Sequence, residues 1–160
     1  MHRFVNRMAK KYKEIVIPKE KAVFRLDKNG NWHNEHGKFQ HKKIIDYFHA
    51  CIQKDGDGFF LSQQANDYRE KVYFPYEETA YFVFDVEKGK EVSLTLNTKK
   101  KVKLKPQKLF VKDDNLYMTY GDDLVKFTEH ALLKISDMLE FEEDRYFIRL
   151  NDKKYTIKKL

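Results

Sequence analysis

Hydrophobic positions along the first half of the chain predict a hairpin, a helix and then a strand. The segment KAVFRLD alternates apolar and polar residues, and the Asn29-Gly30 pair that follows it predicts a β-hairpin turn. From residue 40 the period changes to that of an amphipathic helix, which we expect to end at Asp55-Gly56. The apolar face of this helix consists of Ile44, Ile45, Phe48 and Ile52. The apolar run Phe59–Leu61 then predicts a buried strand.

The second half of the chain shows the same kinds of pattern. The run TAYFVFDV is almost continuously apolar, which predicts a central strand. In EVSLTLNT, Val92, Leu94 and Leu96 alternate with polar residues, so we expect a strand with one buried face. Hairpin turns are predicted at 113–115 and 151–152, on either side of a second amphipathic helix. The apolar face of that helix consists of Ala131, Leu132, Ile135 and Leu139.

A single offset relates the two halves of the chain. Adding 87 to each residue number superposes the apolar face of the first helix on that of the second, and Phe59–Leu61 on Tyr146–Ile148. Seven apolar matches in one register favour duplication over chance similarity. We therefore predict an α+β fold of duplicated β-hairpin–helix–strand units with a mostly antiparallel sheet. The predicted parts are an N-terminal arm (1–18), a first repeat (19–86) and a second repeat (87–160).

Composition and charge narrow the choice of partners. A hydrophobic fraction of 41%, with 15% aromatic residues, is sufficient for a folded core. The net charge is +7, but the positive residues are 26 Lys and 6 Arg, and nucleic-acid readers favour the bidentate arginine. The alternate lysines within Lys99–Lys105 would share one face of a strand. This stripe favours protection of a sheet edge over binding of nucleic acid.

Motifs of the common metal sites and enzyme classes are incomplete or missing. A calcium loop that started at Asp55 would place Phe60 at position six and Asn66 at position twelve, where glycine and glutamate are needed. His33 and His36 lack the HExxH helix of zinc hydrolases, and no phosphate loop or G-x-S-x-G elbow is present. We therefore expect no cofactor, no metal and no catalytic residue. The DGDG segment is interpreted as a tight helix-to-strand turn.

The sequence also gives expectations about membrane contact and oligomeric state. No segment approaches the roughly 20 apolar residues of a transmembrane helix, and the N-terminus lacks the apolar core of a signal peptide. We expect a cytoplasmic protein without membrane contact. The oligomeric state stays open, with a homodimer as one alternative.

Several of these motifs together resemble a bacterial family, domain of unknown function 1285 (DUF1285). That family carries a D-x-x-G-x-W hairpin, a helix, and a D-x-D-G-[YF]-[YF]-L turn and strand. The matching residues are Asp27, Gly30 and Trp32 for the first motif, and Asp55, Asp57, Gly58, Phe59, Phe60 and Leu61 for the second. In YEETAY, Glu78 and Ala80 depart from the next family element, V-E-D-x-P-[FY].

The resemblance covers residues 20–160 and carries expectations about fold and function. It implies a duplicated α+β fold whose second half is like a pleckstrin-homology domain. It also implies a nucleotide-like ligand at the interface of the halves, and a role in signalling.

The leading hypothesis is a non-enzymatic ligand-binding or regulatory module that holds an anionic small molecule between the repeats. The candidate ligand-binding residues are Trp32, Asp55 and Asp57 from the family motifs, with Arg69, Arg145 and Arg149 as rare arginines near the repeat. Two alternatives stay open. One is a divalent-metal hydrolase that uses the two aspartates and nearby histidines, and the other is a nucleic-acid binder that uses the lysine stripe.

Overall fold

The computed structural model describes residues 13–160, so most of the predicted N-terminal arm lies outside the described residues. The chain divides into two units, and the division falls between Glu78 and Thr79. The predicted boundary after residue 86 falls instead within a strand of the second unit, Tyr81–Glu87. This strand is the continuously apolar segment that the sequence predicts as central, and it does have a strand on either side.

The first unit consists of two small sheets and one α-helix within residues 13–78. Its elements are β1 (Lys13–Ile17), β2 (Phe24–Leu26), β3 (Trp32–Asn34), β4 (Gly37–Lys38), α1 (Lys42–Ala50), β5 (Ile52–Asp55), β6 (Gly58–Ala65) and β7 (Tyr68–Tyr73). β2, β3 and β4 form an antiparallel sheet in that order. The second sheet has the order β1-β7-β6-β5, in which only β1 pairs in parallel within the described part of the unit.

Aromatic rings fill the core of the first unit. Trp32 is 1% exposed, and its ring centroid lies 5.0 Å from that of Phe74 and 5.3 Å from that of Phe48. Phe24 packs against the same three rings, at 5.1–6.2 Å. Edge-to-face packing of this kind stabilises a core by more than the burial of apolar surface alone.

The β2–β3 hairpin explains the D-x-x-G-x-W motif in structural terms. The Asp27 carboxylate accepts hydrogen bonds from the backbone N–H groups of Asn29 and Asn31, and its other oxygen lies 2.7 Å from the His33 ring. Gly30 adopts a φ of 81°, which glycine tolerates at little cost. Asp27 and Gly30 therefore shape the turn that directs Trp32 into the core.

The second unit contains a nine-stranded sheet and one α-helix within residues 79–160. Its elements are β8 (Tyr81–Glu87), β9 (Ser93–Leu96), β10 (Lys101–Lys103), β11 (Leu109–Lys112), β12 (Asn115–Tyr120), β13 (Asp123–Phe127), α2 (Glu129–Ile135), β14 (Leu139–Glu142), β15 (Arg145–Leu150) and β16 (Lys153–Lys159). The sheet order is β10-β9-β8-β13-β12-β11-β16-β15-β14. Within the described residues of this unit, the pairs β8–β13 and β11–β16 are parallel and the others are antiparallel.

The core of the second unit follows from the alternation along its strands. Val92, Leu94 and Leu96 are all buried, as the sequence predicts. α2 places Ala131 and Ile135 against this core, and both are fully buried. The predicted α+β class with mostly antiparallel pairing is therefore observed.

The first helix is shorter than its apolar period predicts, which corrects the interpretation of DGDG. α1 ends at Ala50, and Ile52 opens strand β5, where it pairs with Leu61. Ile52 is buried on a strand instead of a helix. An apolar residue at this position predicts burial, but it does not show whether the buried element is a helix or a strand. The DGDG segment is thus the turn of the β5–β6 hairpin, and Gly58 adopts the φ of +127° that the turn requires.

The same correction holds for the second helix. α2 ends at Ile135 and a short 3₁₀ turn follows, so Leu139 opens strand β14. The acidic segment after it is also a hairpin turn, and Glu143 and Asp144 both have positive φ values. Two consecutive left-handed residues are typical of the tight turns that suit twisted antiparallel strands.

Candidate functional site

The predicted ligand-binding residues of the first unit lie in three different environments. Trp32 is a core residue, as described above, and its indole Nε1 has no hydrogen-bond partner among the described residues. Asp57 is exposed in the β5–β6 turn. Arg69 is exposed on β7, where its Nη1 lies 3.4 Å from the Ser62 hydroxyl. Of these three residues, only Asp57 lines either of the two cavities described for this unit.

Asp55 belongs to a compact polar network on the sheet of the first unit. Its Oδ2 accepts hydrogen bonds from Lys71 Nζ at 2.5 Å and from the Tyr73 hydroxyl at 2.7 Å. Its Oδ1 accepts from the backbone N–H of Asp57 at 2.9 Å. The hydrogen bond from Lys71, with that from Tyr73, lowers the pKa of Asp55 to about 2. The Lys71 ammonium also lies 4.3 Å from the centroid of the Phe60 ring, so it is engaged on two sides.

This network indicates a structural role for Asp55. A carboxylate that already accepts three hydrogen bonds has little acceptor capacity left for the donor groups of a ligand, and its negative charge repels an anion. Hydrogen bonding to Asp55 also raises the pKa of Tyr73, so the phenol keeps its proton at neutral pH and the phenolate is not available as a general base. The network therefore links the β5–β6 turn to β7.

The two predicted arginines of the second unit lie on β15. Arg145 is exposed at its first position. Arg149 Nε lies 3.2 Å from Oε1 of Glu140, and Lys154 lies 3.0 Å from Glu142 on the same edge hairpin. Arg149 is thus part of a surface network of opposite charges.

The geometry also bears on the metal alternative. No group of three His, Cys, Asp or Glu side chains is arranged for a metal ion within residues 13–160. The His33–Asp27 pair brings only two such side chains together, and both belong to the β2–β3 turn. A divalent ion needs more ligands than this pair supplies.

A wide cleft lies in the second unit, and we call it the lysine-lined cleft. Its volume is about 800 Å³. It is formed by the β8–β9 loop, the segment that follows β10, and the β15–β16 turn. The side-chain amide of Asn151 donates to the Lys90 carbonyl at 3.1 Å, which ties two of these segments together. The lining residues are Lys88, Gly89, Lys90, Glu91, Val92, Lys103, Leu104, Lys105, Pro106, Gln107, Met138, Leu150, Asn151, Lys153 and Tyr155.

The charge of the lysine-lined cleft is strongly positive. Five lysines line it, against a single carboxylate among the described lining residues. Lys88 pairs with Asp137 at 2.5 Å, and Lys103 pairs with Glu91 at 3.0 Å. The other three lysines form no ion pair within residues 13–160: Lys90, Lys105 and Lys153. Their positive charges face the cleft without a fixed counter-charge.

The predicted four-lysine stripe is only partly formed. Lys101 and Lys103 lie on β10, which is an edge strand of the nine-stranded sheet. They form ion pairs with Glu87 and Glu91 on the neighbouring segment. Lys99 lies in a turn with a φ of 75°, and Lys105 follows the strand. Charged side chains on a short edge strand hinder pairing with another chain, as the edge-protection hypothesis requires.

Sequence reasoning missed most of the residues of the lysine-lined cleft. Lys88 and Lys90 flank Gly89 in a hairpin connection, and Lys153 follows the Asn151-Asp152 turn. Lysines next to turns are common on any surface, so each was unremarkable alone. The cleft could have been predicted from three groups of lysines next to turns in the second half of the chain. That prediction also needs the strand order, because the strand order brings the three turns together.

The chain is thus an α+β protein whose second unit carries a cationic cleft. Solved structures of DUF1285 family proteins share its fold. A DUF1285 family protein from Silicibacter pomeroyi DSS-3 has a TM-score of 0.60 and 13% identity, over 92% of this chain and 84% of that one. One from Shewanella baltica OS155 has a TM-score of 0.52 and 14% identity, over 74% and 94%. The predicted resemblance is therefore confirmed at the level of the fold. No protein-family model and no curated protein matches the sequence.

The α-helices in the described part of the chain are short, with nine residues in α1 and seven in α2. None of those within residues 13–160 combines the length and apolar character of a membrane-spanning segment.

Proposed function

We propose that this protein is a non-enzymatic binding module for an anionic small molecule. The observation that carries the proposal is the lysine-lined cleft, with its three lysines that form no ion pair within residues 13–160. Small-molecule sites have volumes of about 300–1,000 Å³, and this cleft measures about 800 Å³. An anion bound there gains favourable interactions without breaking an existing ion pair.

The location that we propose for the ligand differs from the one expected from the sequence. The sequence predicts a ligand between the two repeats, whereas the cleft that supports the proposal is lined by residues of the second unit alone. Nucleotide-like molecules remain within the proposed class, because their phosphates supply the required charge. A protein that binds such a molecule without converting it is suited to sensing, so we propose a regulatory role in signalling.

Neither alternative gains a specific supporting observation. The hydrolase requires a metal-ligand cluster, and the described residues contain no such arrangement. The nucleic-acid binder requires exposed lysines along β10, and Lys101 and Lys103 are already paired with glutamates. Nucleic acid is therefore treated as an outcome of the binding experiment.

We also propose that the two units arose by duplication. The sequence offset of 87 relates the bounds of β5 to those of β14, residues 52–55 to residues 139–142. In both units a three-stranded antiparallel arrangement precedes the helix and another follows it. The same sequence of elements supports a common origin. The similarity of the second half to a pleckstrin-homology domain stays a prediction.

The decisive experiment neutralises the lysines of the cleft that form no ion pair. Thermal-shift screening with pyrophosphate, ADP and ATP is followed by calorimetric titration of the wild type and a Lys90→Gln/Lys105→Gln/Lys153→Gln variant. We expect at least one anion to bind, and the triple substitution to weaken its binding at least about tenfold, since three favourable charge interactions are lost.

A charge-matched control separates the cleft from the general positive charge. The Lys112→Gln/Lys158→Gln/Lys159→Gln variant removes the same charge from exposed positions of the same unit that lie outside the cleft. It should bind like the wild type. No stabilisation by any of the anions at millimolar concentration contradicts the proposal, as does equal weakening in both variants. Binding of a single-stranded oligonucleotide alone, with steep salt dependence, would favour the nucleic-acid alternative.

A further inference from the structure

The lysine-lined cleft has an apolar floor in addition to its charged lysines. Val92 and Leu104 are buried beneath it, at 8% and 3% exposure. Met138, Leu150 and Tyr155 are half-buried, and they pack against the core of the second unit from the side of the cleft. The floor is therefore the outer surface of a packed core, which is firm enough to receive an apolar group.

The three lysines that form no ion pair with a described residue come from three separate segments around this floor. Lys90 lies in the β8–β9 loop, Lys105 follows β10, and Lys153 opens β16. All three are exposed, so each ammonium is free to reorient on its flexible stem. A ligand with several negative charges matches this distribution better than a ligand with one. Because lysine recognises charge rather than planar geometry, discrimination among anions depends on contacts with the floor.

We infer that the ligand of the cleft is an amphipathic polyanion, such as an organic diphosphate. Its apolar body lies on the floor formed by Met138, Leu150 and Tyr155, and its anionic groups contact the lysines. This inference rests on the proposed anion-binding function and adds the requirement for an apolar body. The concave shape and limited volume of the cleft favour a small soluble molecule over a lipid surface.

Three probes with matched parts test the inference by titration calorimetry on the full chain. Inorganic pyrophosphate has the charge without an apolar body, geranyl diphosphate has both, and geraniol has the apolar body alone. We expect geranyl diphosphate to bind at least about tenfold more tightly than pyrophosphate, because it also removes apolar surface from water. Geraniol should bind more weakly than geranyl diphosphate, because it makes no contact with the ammonium groups.

A floor variant and a matched control make the test specific to the cleft. Met138→Gln keeps the length of the side chain but introduces a polar amide, and it should weaken geranyl diphosphate about threefold or more while pyrophosphate is unaffected. Leu133→Gln changes an apolar residue that is 74% exposed and outside the cleft, so it should change neither affinity. Met138→Leu, which keeps the position apolar, should bind geranyl diphosphate about as tightly as the wild type does.

The outcomes separate this inference from the proposed function. If pyrophosphate and geranyl diphosphate bind equally and Met138→Gln changes neither, the requirement for an apolar body is overturned while anion binding stands. If neither diphosphate binds, the inference is overturned, and if ADP and ATP fail to bind as well, the proposed function itself fails. Phosphatidylcholine vesicles that contain phosphatidic acid provide the last arm. If the protein binds these vesicles and geranyl diphosphate does not displace it, the cleft is assigned to a lipid surface. That result would overturn the choice of a soluble ligand.

Discussion

His49 shows how a single buried residue can link stability to pH. The side chain is 1% exposed and lies beside Trp32, at 5.6 Å between ring centroids. Burial lowers the pKa of His49 to about 4, against smaller opposing effects of Asp46 and the Gly30 backbone. The helical period did not identify this residue, because histidine is not counted as apolar. Its neutral ring nevertheless fills part of the aromatic core.

The pKa of His49 predicts a loss of stability in mild acid. Below the unfolded pKa of 6.5, the unfolded chain takes up a proton that the folded protein does not bind until pH falls to about 4. Stability should therefore fall as pH decreases, by about 2 kcal/mol between pH 7 and pH 5 from this group. Urea unfolding of the wild type and of His49→Gln at both pH values measures the effect. An unchanged pH dependence in the variant would contradict the assignment.

At the scale of elements, the β5–β6 hairpin depends on the Asp55 network. Because the folded pKa of Asp55 is lowered to about 2, its ionised form stabilises the hairpin fully above the ordinary pKa of 3.8. That contribution is lost as pH falls from 3.8 through about 2.

Asp55→Asn should lower the urea midpoint at pH 7, because it removes the charge that pairs with Lys71. A double-mutant cycle with Lys71→Met should give a non-additive result, since the two side chains act on each other. Tyr73→Phe, which removes one neutral donor, should have the smaller effect. Additive effects of the Asp55 and Lys71 substitutions would show that the ion pair contributes nothing to stability.

The two helices differ in how they begin, which provides a matched test. Thr128 precedes α2, and its hydroxyl oxygen accepts from the Ala131 N–H at 3.2 Å while donating to the Val83 carbonyl at 3.0 Å. His41 occupies the same position before α1 without a side-chain hydrogen bond to the helix. Thr128→Ala should cost about 1 kcal/mol of unfolding free energy, whereas His41→Ala should be close to neutral. Equal effects in chemical denaturation would contradict the capping role.

At the scale of the whole molecule, the second unit has its own sheet and core. Its nine strands pair with one another, and the core includes residues from all parts of the segment. We expect residues 79–160, expressed alone, to unfold cooperatively in urea with a sigmoidal circular-dichroism transition. A broad, non-cooperative transition would show that the unit depends on the rest of the chain.

The sequence by itself determined the features whose causes are local. The continuous apolar run at 79–86 marks β8, and alternation in Val92–Leu96 marks the buried face of the next strand. The Asn151-Asp152 pair marks a turn, because its residues tolerate the left-handed φ values of 48° and 65°. Each of these signals lies within a few residues and needs no partner to be recognised.

Only the tertiary structure decided which distant segments meet. Ile52 fits the helical period, yet pairing with Leu61 makes it a strand residue, because sheet formation competes with helix extension. Lys90, Lys105 and Lys153 are far apart in the chain, and the folding of the second unit brings them to one cleft. Strand pairing depends on hydrogen bonds between remote backbones and on packing of the shared core, and neither leaves a local pattern in the sequence.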